Sequence, residues 1–350
     1  MVIPEDIKNP RNWNPRDGTV ILTEDNFIMY TFGYSHPKDL VISYLKYIPE
    51  EKLENFKIDF LDHKWKFRNI TMIRPKELYS SKNFKSIRDT FKNYYPDYLY
   101  YSPFLQKEVF VVPYSHIKEL FIPNKRLKFL LQKENLDSHE SLALELIKLL
   151  SSSSGVQLSS FGIHGSTSYE MHSPNSDIDI SVYGKDNFLT VKKAVSELVE
   201  KDIVKRAIKI PTDAYRLNRG IYSGTDFVFN AIRTLGETYN GYGHYKYEHI
   251  RRINFNARIS EDKESVFRPA IYGIEDVEVF DKSIDMNLDK IRKVVSMIGE
   301  FRGLCKEGSR IEGVGMLEKV EDRKDSEIYY RIVIGSGKAK EYIKPVFPIL

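Results

Sequence analysis

Cysteine is almost absent from this chain. Cys305 stands alone among 350 residues, which excludes an internal disulfide framework and any thiolate-rich zinc or iron–sulfur centre. Histidine offers no substitute, because the eight imidazoles do not fall into ligand spacing. Long hydrophobic runs are missing as well: stretches such as Val109-Phe110-Val111-Val112 are far too short to cross a bilayer. The opening MVIPEDIKNPRNWNPRDG carries charges and prolines where a signal peptide needs an unbroken apolar segment, so a cytoplasmic protein with no membrane partner is expected. A dominant charge of one sign is lacking too. Lys plus Arg number 53 and Asp plus Glu 49, an excess of 4 that does not by itself demand a nucleic-acid partner.

What is present is enough apolar material, 41% of residues, for more than one core, and a chain of this length predicts about two or three domains. Thr19-Val20-Ile21-Leu22, a polar turn and Phe27-Ile28-Met29-Tyr30-Thr31-Phe32 predict a hairpin. Ser35-His36-Pro37 then reads as the start of a helix over residues 38–45, with Leu40, Val41, Tyr44 and Leu45 on its apolar face and Pro49 as its stop. A strand over residues 107–112 closes an N-terminal α/β domain assigned to residues 1–120. Asp137 and Glu140 stand at capping-box spacing before an amphipathic helix that Gly155 ends. Strands are expected at 160–164, 178–183, 203–210 and 225–230, with a helix between the second and third. Residues 236–290 read as a β-rich extension with strands at 251–259 and 265–272, and a helix over 287–298 leads into a small β domain assigned to 291–350, barrel-like in pattern. The expected class is therefore a multidomain α+β or α/β chain with a central mixed-sheet domain over 121–235.

The chemistry concentrates in Gly165-Ser166 followed by Asp177-Ile178-Asp179. Aspartates at i and i+2 on a strand point to one face, so Asp177 and Asp179 converge while Ile178 and Ile180 pack inward. Phosphoryl and nucleotidyl transfer need just such carboxylates to hold magnesium against phosphate oxygens. Gly165 permits close backbone approach, and Ser166, opening a short helix, offers a hydroxyl and N–H groups to a triphosphate. Asp226, leading the apolar strand Thr225-Asp226-Phe227-Val228-Phe229-Asn230, is a third acid suited to act as general base toward an acceptor hydroxyl.

On these residues the segment FGIHGSTSYEMHSPNSDIDISVYG, with GTDFVFN downstream, resembles the signature of polymerase β-type nucleotidyltransferases. The resemblance covers about residues 140 to 235; more weakly, RDGTVILTEDNF, YSHPKDLVISYLKYIP and SVFRPAIYGI are similar to predicted archaeal nucleotidyltransferases of unassigned substrate. It implies a polymerase β-like catalytic domain that transfers a nucleoside monophosphate from an NTP such as ATP to an acceptor hydroxyl, on RNA or another molecule, and releases pyrophosphate. Two Mg²⁺ ions are implied as cofactors, with Asp177, Asp179 and Asp226 as metal ligands and catalytic residues and Gly165 and Ser166 as nucleotide-binding residues. The alternatives are a nucleotide-sensing or RNA-binding protein on the same fold, and an enzyme whose acceptor is a protein side chain.

Other features weigh less. His164, His172, Ser168 and Ser176 read as packed or turn residues. Gly335-Ser336-Gly337-Lys338 fails the phosphate-loop pattern because Ile332 stands where its first glycine belongs and Ala339 where Ser or Thr is required. Basic and aromatic residues interleave between Lys82 and Tyr101, and Lys246, Arg251, Arg252, Arg258 and Arg268 cluster in sequence; both are candidate nucleic-acid contacts.

Overall fold

The computed structural model describes residues 13–77, 81–238, 240–281, 286–337 and 340–346. Two compact units divide the chain, one comprising Met1–Tyr100, Val109–Lys209 and Leu217–Tyr239, the other Tyr101–Glu108, Ile210–Arg216 and Asn240–Leu350. The class is mixed α+β with several sheets.

The first unit begins with the expected hairpin, β1 (Val20–Thr23) and β2 (Ile28–Thr31). It continues through β3 (Leu40–Pro49), β4 (Phe60–Phe67), β5 (Ile70–Pro75), helix α1 (Ser81–Tyr94), β6 (Leu99–Ser102) and β7 (Lys107–Pro113), whose residues Tyr101–Glu108 count with the second unit, and β8 (Ile117–Phe121). The sheet runs β4-β5-β3-β2-β1-β8, with β7 also on β3 and β6 on β7. The expected helix over 38–45 is a strand. Asp39 adopts a left-handed φ of 60°, and the β-branched and aromatic run that follows has both faces covered, so apolar residues at helix-like spacing belong to two different cores. Of the basic–aromatic stretch, Ile87, Phe91 and Tyr98 are core residues, whereas Tyr94 and Tyr101 are exposed.

A second sheet of the same unit uses β9 (Phe161–Ile163), β10 (Ile178–Tyr183), β11 (Lys205–Arg206), β12 (Arg219–Tyr222) and β13 (Thr225–Ile232), ordered β11-β12-β13-β10-β9. It is mixed: β10 and β13 run parallel and the other neighbours antiparallel. Helices α2 (Pro123–Gln132), α3 (Ser138–Ser154), the single turn α4 (Gly165–Ser168) and α5 (Lys185–Glu200) accompany it; a short α6 (Asp213–Arg216) belongs to the second unit. Asp137 and Glu140 form the expected capping box on α3, and Gly155 ends that helix in left-handed conformation at φ 72°. Ile178, Ile180, Val182, Phe227, Phe229 and Ala231 are buried in the core, where Phe188 of α5 lies 5.3 Å from Phe229. The expected strand over 203–210 shrinks to Lys205–Arg206 at a sheet edge, because Ile208 and Ile210 remain exposed and no strand pairs beyond.

In the second unit β14 (Tyr245–Glu261), β15 (Ala270–Val279), β16 (Ile291–Ser296), β17 (Arg310–Asp322), β18 (Glu327–Ile334) and β19 (Tyr342–Val346) make one sheet. The order β14-β15-β16-β18-β17 closes on itself through β14–β17, giving a five-stranded barrel with β19 added on β17. The helix expected over 287–298 is a 3-10 turn followed by β16: Ile291 and Val294 join the barrel core between β15 and β18 while Val295 is buried on the other face, and β-branched side chains favour that pleated setting. The strand expected over 265–272 starts only at Ala270. Among the described residues no helix is long and apolar enough to cross a membrane.

Candidate active site

The turn between β9 and β10 is fixed from several sides. Gly165 has a φ of 60°, and a Cβ there would fall 1.9 Å from Asp179 Oδ2, so the aspartate carboxylate lies directly over the glycine. The His164 N–H donates to the Asp179 carbonyl at 2.8 Å, the Ser168 hydroxyl to the Gly165 carbonyl at 2.9 Å, and the Met171 N–H to the Ser166 carbonyl at 2.9 Å. Ser166 is half-buried. A helix of one turn carries little macrodipole, so what the turn offers an anion is its local N–H groups and the Ser166 hydroxyl.

Sheet register brings the third acid alongside. Ile178 pairs with Phe227 and Asp179 with Val228 in parallel, and paired residues share a face. Asp226 is therefore one step before Phe227, abreast of Asp177, and all three acids lie on the face opposite Ile178, Ile180, Phe227 and Phe229. Asp177 is exposed just ahead of β10, whereas Asp179 is half-buried. The side chains do not gather as tightly as the backbones: the three acids are not a set with ligand atoms within 4.8 Å of one another, and Asp226 Oδ2 is 3.0 Å from Lys209 Nζ.

Among the described residues that tight arrangement occurs only at Asp137, Glu140 and His172. These atoms are already engaged. The Glu140 N–H donates to Asp137 Oδ1 at 2.9 Å, Lys133 Nζ reaches both Glu140 oxygens at 2.6 Å, and His172 Nε2 is 2.8 Å from Asp137 Oδ2. Burial works against the charge of Asp137, yet these hydrogen bonds hold its carboxyl below the usual aspartate range. His139 stacks on His172 with ring centres 4.9 Å apart and bonds Thr167 Oγ1 at 2.9 Å, tying the start of α3 to α4.

Burial, and next the like charge of Asp177, push the Asp179 carboxyl up to about 7. Lys46, Arg219 and Arg74 oppose that rise, and none of these cations was evident from the sequence, since they come from β3, β12 and β5. His164 is 5.2 Å ring to ring from Tyr30, and Ser176 accepts the Ser173 N–H at 2.9 Å. The basic cluster on β14 is engaged within its own unit: Arg251 with Asp281 at 3.0 Å, Arg258 with Glu275 and Asp276, and Arg252 with the Lys340 carbonyl at 3.1 Å. The glycine-rich 335–337 turn wraps an internal carboxylate: the N–H groups of Gly335 and Ser336 both donate to Glu341 Oε2 at 2.7 Å. Lys338 and Ala339 of that motif lie outside the described residues.

The chain is 28% identical over 334 residues to an uncharacterized protein of Methanocaldococcus jannaschii, a match spanning 89% of this chain and 93% of that protein. No family model matches the sequence, and no solved structure matches it.

Proposed function

We propose that the first unit contains a polymerase β-like core that catalyses Mg²⁺-dependent transfer of a nucleoside monophosphate from an NTP to an acceptor hydroxyl. The observation that carries this reading is the parallel register of β10 and β13, which sets Asp226 abreast of Asp177 on the face where Asp179 overlies Gly165. The donor set suits magnesium, because three carboxylates supply hard oxygen ligands. Bound Mg²⁺ supplies neutralisation of the phosphate oxygens. Asp177, Asp179 and Asp226 would hold it, while Gly165 and Ser166 bring N–H groups and a hydroxyl to the triphosphate.

In the transfer itself the acceptor oxygen bonds to the α-phosphorus as the bond to the β-phosphate oxygen breaks, and pyrophosphate leaves. The hydroxyl proton passes to the Asp226 carboxylate. Incubating the protein with each α-labelled NTP, Mg²⁺ and total cellular RNA tests the reading. Label moving to RNA, to protein or to a small molecule supports transfer and identifies the acceptor class, and Asp226→Asn is expected to abolish it while NTP binding persists. NTP binding without any transfer points to a nucleotide sensor; full transfer by Asp226→Asn removes the role given to that residue.

A further inference from the structure

A β-bulge decides where Lys46 points. On β3, Leu45 pairs with Met29 and Tyr47 with Ile28, so Lys46 is an extra residue between consecutive partners. The insertion reverses the alternation beyond it. Leu45 joins the core of Met29, while Tyr47 enters the opposite core with Ile28 and Tyr30. That opposite core also takes Tyr169 and Met171, which follow the Gly165-Ser166 turn. Lys46 Nζ stands 5.3 Å from the centre of the Tyr30 ring, and the His164 ring is 5.2 Å from the same ring.

Two further cations reach the same region. Ile73 pairs with Ile48, which sets Arg74 opposite Tyr47, and the two side chains share a hydrogen bond. Arg219 and Asp179 both pair with Val228 from its two sides, so these three residues form one row on one face, the outer two about 10 Å apart in backbone. Tyr30, Tyr47 and Tyr169 are 6%, 4% and 1% exposed and back this region, with the Tyr30 and Tyr169 hydroxyls 2.9 Å apart. Lys46 and Arg74 are thus half-buried, Lys46 over the Tyr30 ring and Arg74 hydrogen-bonded to Tyr47, unlike freely solvated surface cations.

Charge complementarity indicates what they face. Lys46, Arg74, Arg219 and Lys209 stand against the three acids Asp177, Asp179 and Asp226, and a bound divalent ion would make the group more positive still, a setting that favours a multiply charged anion. We propose that Lys46, Arg74 and Arg219 grip the β- and γ-phosphates of the incoming triphosphate, an inference that rests on the nucleotidyl-transfer reading. The N-terminal sheet thereby furnishes half of the substrate site. Binding through the polyphosphate tail also makes affinity largely independent of the base.

Calorimetric titration with Mg²⁺ and either ATP or inorganic tripolyphosphate tests this, with AMP as the control that lacks the tail. The variants are Lys46→Gln and Arg74→Gln, which remove the charge and keep most of the stem, and Lys46→Arg, which retains the charge. Both glutamine variants are expected to lose at least about tenfold in affinity for ATP and for tripolyphosphate, with Lys46→Arg close to wild type. Wild-type affinity in both glutamine variants overturns the inference and leaves the transfer reading standing, as does a wild-type protein that binds ATP but not tripolyphosphate. A wild-type protein that binds neither ligand overturns both. A loss that Lys46→Arg shares in full overturns the charge argument in favour of a packing role.

Discussion

Glu318 of the second unit and Asp179 of the first are carboxylates on which the surroundings act in opposite ways. Glu318 of β17 is 3% exposed, and it lies 2.7 Å from Arg331 Nη2, 2.8 Å from Arg331 Nε and 2.8 Å from His249 Nδ1. The Arg331 guanidinium itself sits 3.6 Å over the Tyr247 ring. Burial alone raises a carboxyl, but Arg331 and His249 outweigh it and bring Glu318 down to about 2. Asp179 is half-buried, its nearest charged neighbour in sequence is Asp177, and burial and that like charge raise its carboxyl to about 7. A charge matched within its own barrel serves the fold. Asp179 instead stands beside a like charge and over a glycine that leaves no room for a side chain, the setting that the proposed transfer would use.

The sharpest way to break this contrast is Glu318→Gln. It leaves Arg331 buried without its counter-charge and is expected to cost about 3–5 kcal/mol of stability, measured by urea denaturation. Binding of Mg²⁺ and ATP by the folded variant should be unchanged. The pH dependence carries the same opposition. A glutamate depressed to about 2 contributes stability that is complete above its unfolded value and is lost as pH falls through that value toward 2, on the order of 3 kcal/mol in all. Asp179, raised to about 7, acts with the reverse sign: its cost is absent in acid and grows as pH rises from about 4 toward 7. Denaturation across pH should therefore show an acid limb that Glu318→Gln removes; an unaltered limb would assign acid sensitivity elsewhere.

Gly165→Ala comes next in size and sharpens the comparison from the other side. The new methyl meets Asp179 Oδ2 at 1.9 Å in a backbone conformation that alanine disfavours, so the carboxylate has to move. If Asp179 holds metal in the proposed transfer, displacing it by about an ångström is expected to lower the transfer rate on the order of a hundredfold. The barrel, which has no part in that contact, should melt as before. Normal activity in this variant means that Asp179 works from another position.

Sequence patterns made some of this arrangement legible and left the rest hidden for a physical reason. The capping box at Asp137, the paired placement of Asp177 and Asp179, and the strand led by Asp226 are local, set by spacing within a few residues. The strands β3 and β16 were not, because both bury apolar residues on more than one side and so mimic helical periodicity. Lys46, Arg74 and Arg219 were hidden for a further reason. The direction of Lys46 depends on a bulge set against β2, that of Arg74 on pairing with β3, and that of Arg219 on a row shared with Val228, all of them non-local registers.

The smallest expected effect separates Asp226 from Glu318 most directly. Asp226 has a salt bridge too, but its side chain and that of Lys209 are 40% and 50% exposed, where ion pairs contribute no more than about 1 kcal/mol. Lys209→Met should accordingly shift stability by less than about 1 kcal/mol. It should nevertheless tighten Mg²⁺ binding, by roughly fivefold for one cation removed at contact distance in water, because Lys209 and the metal compete for the same carboxylate. Calorimetry of Mg²⁺ binding checks the second effect and urea denaturation the first. A large stability loss with unchanged metal affinity would make the Lys209–Asp226 pair a structural contact like Glu318–Arg331, and the two units would then no longer differ in how they use their acids.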